Sequence, residues 1–282
     1  MRVVSSVLRY GAIGIALLFF LFPVYWVAIT AFKVSAEWFT WPPIVLPRRL
    51  TLGNFLGTEG GFSGSLATAI EGIVPYLRNS VVAALGTAVL STLLGSLAAY
   101  AISRFKVGGM GLASWIISVR MLPPIAAALP VYAIFLQLHL VNTVWAVIMA
   151  HLIFTAPFST WILLSFFNEI PRELDEAAWV DGASPATVFF RVVLPLSAPG
   201  LAAVASLAFI QSWGEFLMAL VLTSSSDAQT LPLFLGRYIT GWRIAWGPLA
   251  AAGLVTMVPV VAFSLVMQRY LIRGLTFGAV KY

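Results

Sequence analysis

Six apolar runs, each near the ~20 residues a helix needs to cross a bilayer, follow one another with polar stretches between them: 10–32, 79–102, 110–138, 143–167, 200–222 and 248–271. They predict an all-α membrane protein with six transmembrane helices in one domain covering residues 1–282. The third run is over-long and carries Arg120, Pro123, Pro124 and Pro130. Proline removes a backbone donor and clashes with the preceding turn, so a helix broken into two pieces is expected there, tolerable only against protein or a water-filled cavity. The first run follows Arg2 and Arg9 like a signal sequence, but its length and lack of a small-x-small cleavage site predict an uncleaved first span.

Composition fits this pattern. The chain is 61% hydrophobic and 9% charged, against about 25% charged in an ordinary soluble domain. The formal charge of +6 comes from Lys and Arg scattered at the ends of apolar runs, with no basic stripe or interleaved aromatics, so it does not point to nucleic acid. With no cysteine, disulfide frameworks and thiolate chemistry are excluded.

Positive charge resists translocation. With both termini inside, Arg2, Arg9, Arg104, Lys106, Arg172, Arg191, Arg269, Arg273 and Lys281 are inner, against Lys33, Arg48, Arg49, Arg78, Arg237 and Arg243 outer. Cytoplasmic termini follow. The outer side then holds loops 33–77 and 223–247, and the inner side the polar segment 168–198.

That inner segment interrupts two spanning runs. Pro171 suits a first helical turn, Glu173, Asp175 and Glu176 favour a helix N-terminus, and Gly182 can end the helix with positive φ. Ser184 then offers a cap and Pro185 a first-turn residue for a second helix running to about Val193, where Leu194-Pro195 stops it. Leu174, Ala177, Ala178 and Asp181 fall on one side. A loop lying on lipid headgroups should be basic, yet Glu169, Glu173, Asp175, Glu176 and Asp181 oppose only Arg172 and Arg191. The segment therefore reads as a docking surface for another protein.

Glu176-Ala177-Ala178, three residues, Gly182, nine residues, Val192, one residue and Leu194-Pro195 resemble the EAA signature of permease subunits of ABC importers, with Val in place of Ile. Asp181-Gly182-Ala183, Leu194-Pro195-Leu196 and Pro199-Gly200 resemble the carbohydrate-uptake branch, in particular the second permease of maltose-type importers. Phe32-Lys33, Trp213-Gly214-Glu215 and the ending from Arg273 to Lys281 match it too, with Gly214 standing where Asn is common.

The resemblance implies a type I importer permease fold with a cytoplasmic coupling-helix loop. It assigns Glu176, Ala177, Ala178, Asp181, Gly182, Val192, Leu194 and Pro195 to ATPase docking, and the tail residues Gly274, Thr276, Gly278 and Lys281 to the ATPase interface. It also implies a second homologous permease in a heterodimer, two ATPase subunits and an extracytoplasmic binding protein in a bacterial or archaeal cytoplasmic membrane. ATP closing the ATPase pair would switch the paired permeases between inward-facing and outward-facing states.

The chain's own chemistry agrees. It has no GxxxxGK[ST] loop to cradle a triphosphate, so ATP and Mg belong to the partner and no cofactor is expected here. Arg120 and Glu215 fall inside spans and, with Trp213, are candidate lining of a translocation path, or else serve structure at a helix break and an interface. His151 reads as an interhelical hydrogen-bonding residue, and with His139 it makes no metal site. Trp38, Trp41, Trp242 and Trp246 flank spans as interfacial aromatics do; the second outer loop is also a candidate contact for a binding protein. An ion-coupled secondary transporter is the alternative within transport. Gly61-Phe62-Ser63-Gly64 superficially matches an intramembrane serine hydrolase motif, but it lies in a glycine-rich outer loop.

Overall fold

The computed structural model describes residues 2–59 and 69–278. In chain order the helices are α1 (Arg2–Ala31), α2 (Gly53–Leu56), α3 (Ala69–Phe105), α4 (Gly109–Ser118), α5 (Pro124–Gln137), α6 (Val144–Glu169), α7 (Glu173–Val180), α8 (Pro185–Val188), α9 (Leu194–Leu196), α10 (Ala198–Trp213), α11 (Leu217–Leu222), α12 (Leu231–Gly236) and α13 (Trp246–Gly278). Among the described residues four helices are long and apolar enough to cross a membrane. Two bent pairs supply the remaining candidate spans among the described residues: Gly109–Met121 with Pro124–Gln137 at 95°, and Pro185–Leu196 with Ala198–Trp213 at 79°. The expected break of the third span is there, at Leu122 and Pro123, whereas Pro130 is carried inside α5.

The fifth run departs from expectation. It is not one helix over 200–222: α10 ends at Trp213, Gly214 caps it, and α11 restarts at Leu217.

By compactness the chain divides into 1–74 with 234–258, and 75–233 with 259–282. In the first unit the chain folds back after α1. Asn54 donates from Nδ2 to the carbonyls of Ala31 (2.9 Å) and Lys33 (2.8 Å), and Thr51 N–H donates to Phe32 O at 3.0 Å. Gly247 is needed there, since a Cβ would lie 2.2 Å from Asn54 Oδ1. Lys33 is buried with its ammonium 4.4 Å over the Trp26 ring; burial pushes its pKa down, and Glu37 pulls it back. The most apolar 18-residue stretch of α1 has no buried residue. Leu17, Leu18, Phe19 and Phe20 are exposed at consecutive positions, as fits a helix surrounded by lipid or by another protein.

The second unit is held by small-residue contacts of the kind that let membrane helices approach. A Cβ on Gly95 of α3 would lie 2.6 Å from Ser159 Cβ and 2.9 Å from the Thr160 backbone nitrogen of α6. Beside it, Ser91 Oγ and Ser159 Oγ are 2.6 Å apart. Ten residues past the start of α3, Asn79 Nδ2 donates to the carbonyls of Ser226 (2.9 Å) and Gln229 (3.0 Å), and Ser80 Oγ accepts from Leu231 N–H at 2.7 Å.

Candidate functional site

At the C-terminal end of α3 lies the polar segment 168–198. Its helix α7 carries Glu173, Asp175 and Glu176 in the first turn, where carboxylates favour the positive end of the dipole. Gly182 has φ +83°, the left-handed conformation that ends the helix and makes the corner. Ser184 caps α8, its Oγ accepting from Thr187 N–H at 3.2 Å.

The second helix does not stop at Leu194-Pro195. Phe189–Val193 winds as a π-helix and continues into α9, and the bend comes only at Ser197. Pro195 therefore lies inside the helical run Pro185–Leu196, one backbone donor short and directly after the π-turn.

The module has two faces. Val188, Phe189 and Val193 are buried with Tyr100, Leu163 and Phe167 from the ends of α3 and α6, and Ala178, Val192 and Leu194 pack against that cluster. Glu176, Ala177, Asp181, Gly182 and Pro195 are exposed, and Val180 is 88% exposed. The eight signature residues thus divide into five that face outward and three that build the module's own core. Of the tail residues, Gly274, Thr276 and Gly278 lie on the α13 backbone, which runs past 271 to Gly278; Lys281 lies outside the described residues, as does Ser63.

Arg120 and Glu215 share one cavity of about 260 Å³, lined also by His151, Gln211 and Ser212 among others. Arg120 sits in the turn Val119–Met121 between the halves of the broken third span. Its guanidinium lies 4.2 Å over the Phe158 ring and Nη1 donates to Gln211 Oε1 at 3.4 Å. Glu215 sits in the break of the fifth span and accepts from Met218 N–H (2.9 Å to Oε1) and Ala219 N–H (3.3 Å to Oε2). It therefore caps α11.

His151 Nε2 meets Glu215 Oε2 at 3.1 Å and its Nδ1 meets Ser212 Oγ at 2.7 Å, the interhelical role read from sequence. Trp213 is buried, stacked 5.6 Å from Phe209, and is absent from the cavity lining. Gln211 was not singled out from sequence; its place two residues before Trp213 in a span was the available signal. Among the described residues no group of His, Cys, Asp or Glu could hold a metal ion.

A third feature lies in the first unit. A cavity of about 580 Å³ is lined by Ser35, Trp38, Phe39, Trp242, Arg243 and Trp246 among others. Ile239 and Ile244 pair across a tight hairpin, and Trp242 at its tip is 98% exposed.

The family described as binding-protein-dependent transport system inner membrane component matches residues 91–277, from the middle of α3 through the module and into α13. The chain belongs to this family. It is a multi-pass membrane permease, a transport subunit, and the importer reading prevails over the ion-coupled carrier and the hydrolase. This permease is 34% identical to the sulfoquinovosyl glycerol transport system permease protein of Agrobacterium fabrum, over 97% of this chain and 93% of that one. It is also 34% identical to the trehalose/maltose transport system permease protein of Thermococcus litoralis, over 96% of this chain and 95% of the relative. Among solved structures, a chain of a bacterial ABC transporter involved in import of the acidic polysaccharide alginate superposes with a TM-score of 0.74 at 19% identity, covering 95% and 96% of the two chains. The permease thus has the fold of ABC importer permeases.

Proposed function

We propose that this permease forms half of the translocation path of an ATP-driven importer for a sugar or sugar derivative, paired with a second, homologous permease. Of two separate ATPase subunits, holding ATP and Mg, one docks on the module 168–198, which lies on the cytoplasmic side with both termini. An extracytoplasmic binding protein delivers the substrate to the opposite side, where the hairpin carrying Trp242 and the loop 223–247 stand ready to meet it. The substrate class is carried over from relatives named for sulfoquinovosyl glycerol and for trehalose and maltose transport.

The observation that carries this reading is the two-faced module. Its inner face is fused to the ends of α3 and α6 by Val188, Phe189 and Val193, while Glu176, Ala177, Val180 and Asp181 are left to a partner. Small Ala side chains admit another backbone closely, and the carboxylates can meet Arg or Lys. A partner that closes with ATP then biases a two-state rocking of the spans. The tail at Gly274, Thr276, Gly278 and Lys281 adds to the same interface. Arg120, with Glu215 beside it, supplies a polar lining in the path, and the guanidinium is the charge that the cavity presents.

The test is Gly182→Asp or Glu176→Lys in the natural complex. Either variant inserts at normal abundance but loses copurification with the ATPase, or the stimulation of its hydrolysis by the binding protein. Full coupling in both variants overturns the assignment.

A further inference from the structure

Between Asn79 and Arg104, α3 contains no proline and no break, unlike the third and fifth spans, which are broken, and α6 and α13, which carry Pro157 and Pro259. At 1.5 Å per residue this stretch is about 37 Å long, enough to cross the bilayer as one rod. Both of its ends are tied to parts of the same unit.

The inner end is tied by a buried ion pair. Arg104 Nε lies 2.5 Å from Asp175 Oδ2 of α7, with side chains 3% and 2% exposed. Arg104 Nη2 also donates to Ile170 O at 3.1 Å, Arg172 Nη2 donates back to Ser103 O at 2.8 Å, and Ser103 Oγ donates to Asn168 Oδ1 at 2.7 Å. Tyr100 Oη reaches Pro185 O at 3.2 Å. The last turn of α3 therefore holds the end of α6, the helix α7 and the start of α8 together. The outer end is tied by Asn79 and Ser80 to Ser226, Gln229 and Leu231 in the opposite loop.

We propose that α3 is a strut joining the ATPase-docking module to the outer loop 223–233, with Arg104–Asp175 as its inner joint and Asn79–Ser80 as its outer joint. Asp175 and Arg104 are positioning residues. Asp175 belongs to the acidic helix that meets the partner but is turned away from it, so its charge acts on α3 alone. A push on α7 moves the end of α3, because separating the pair would leave two charges buried without partners. A rod without proline or break then delivers the displacement to the outer loop instead of absorbing it. This inference rests on the function proposed above.

The experiment uses the whole complex, purified through this permease with its natural partners and reconstituted in proteoliposomes with its binding protein. Asp175→Asn and Asn79→Ala are compared with wild type for complex recovered, ATP hydrolysed and substrate taken up per ATP. Each variant retains the ATPase but lowers uptake per ATP by about tenfold, within the usual range of coupling between sites. Arg104→Lys keeps the inner charge and retains most of the ratio. Because the two joints act in series on one strut, cutting both is no worse than cutting either.

A purely structural role predicts less complex with an unchanged ratio, and that result overturns the strut. If Asp175→Asn does not assemble, Asn79→Ala decides by itself: a wild-type ratio there overturns the proposal. Wild-type uptake that needs no ATP, or a wild-type permease that recovers no ATPase, is instead the failure of the functional reading.

Discussion

The His151 imidazole and the Glu215 carboxylate meet at 3.1 Å across the gap between the fourth span and the break in the fifth. The carboxylate is shared: it faces the imidazole on one side and accepts the N–H groups that open α11 on the other. Glu215→Ala leaves those donors uncapped inside the membrane domain and lowers stability by about 1–2 kcal/mol, as loss of a helix cap does. Glu215→Gln, which keeps an acceptor oxygen, loses less. Thermal melting of the purified complex in detergent measures both.

Arg120 makes no ion pair among the described residues and lies over Phe158 in the lining of the cavity. Arg120→Ala should leave melting within about 0.5 kcal/mol of wild type, as substitutions outside packed cores do. Transport, not stability, should carry the effect, with uptake lowered at constant amounts of assembled complex. Radiolabelled substrate uptake in cells, normalised to membrane-inserted permease, distinguishes the two.

Gly95 cannot take a side chain, because what a Cβ would strike includes the Thr160 backbone nitrogen and not the end of a flexible chain. Gly95→Ala should destabilise by about 1–3 kcal/mol through overpacking, and Gly95→Val should abolish accumulation of folded protein. Fluorescence-detected size exclusion of tagged variants reads this directly.

Gly182 is the opposite case. Nothing lies within 4 Å of a Cβ there, but φ is +83°, so the penalty is conformational. Gly182→Ala costs about 1–2 kcal/mol and Gly182→Asn less, since Asn tolerates the left-handed region. The Asn variant should therefore keep the corner and much of the ATPase binding, which a pull-down measures.

Much of this was legible in the chain. Proline and Arg120 in one apolar run marked the broken third span, and Gly182 with Ser184-Pro185 marked the corner. The break in the fifth span was not, because no proline announces it; the signal was a carboxylate inside an apolar run, which needs donors and finds them by restarting a helix. Nor did the signature reveal its two faces. Asp175 and Ala178 stand three apart and so share a helix face, and that face is the buried one. In the sequence Asp175 counts only as one of five acids and a helix-N-terminal residue; its cation, Arg104, comes from another span, and pairings between distant segments leave no periodicity to read. The stop expected at Leu194-Pro195 comes at Ser197 instead, because a proline inside a helix can be carried as a kink and need not end it.

The π-helix Phe189–Val193 gives the signature's spacing a physical meaning. A wider turn accommodates one residue beyond the α-helical count, so the nine positions between Gly182 and Val192 set rotational phase as well as distance. Deleting one of them would turn everything that follows by about 100° around the helix axis, swinging Val193 out of the core and Pro195 into it. The segment acts as a clock setting: replacing a side chain within it leaves the phase alone, while a single insertion or deletion would put the hand at the wrong hour.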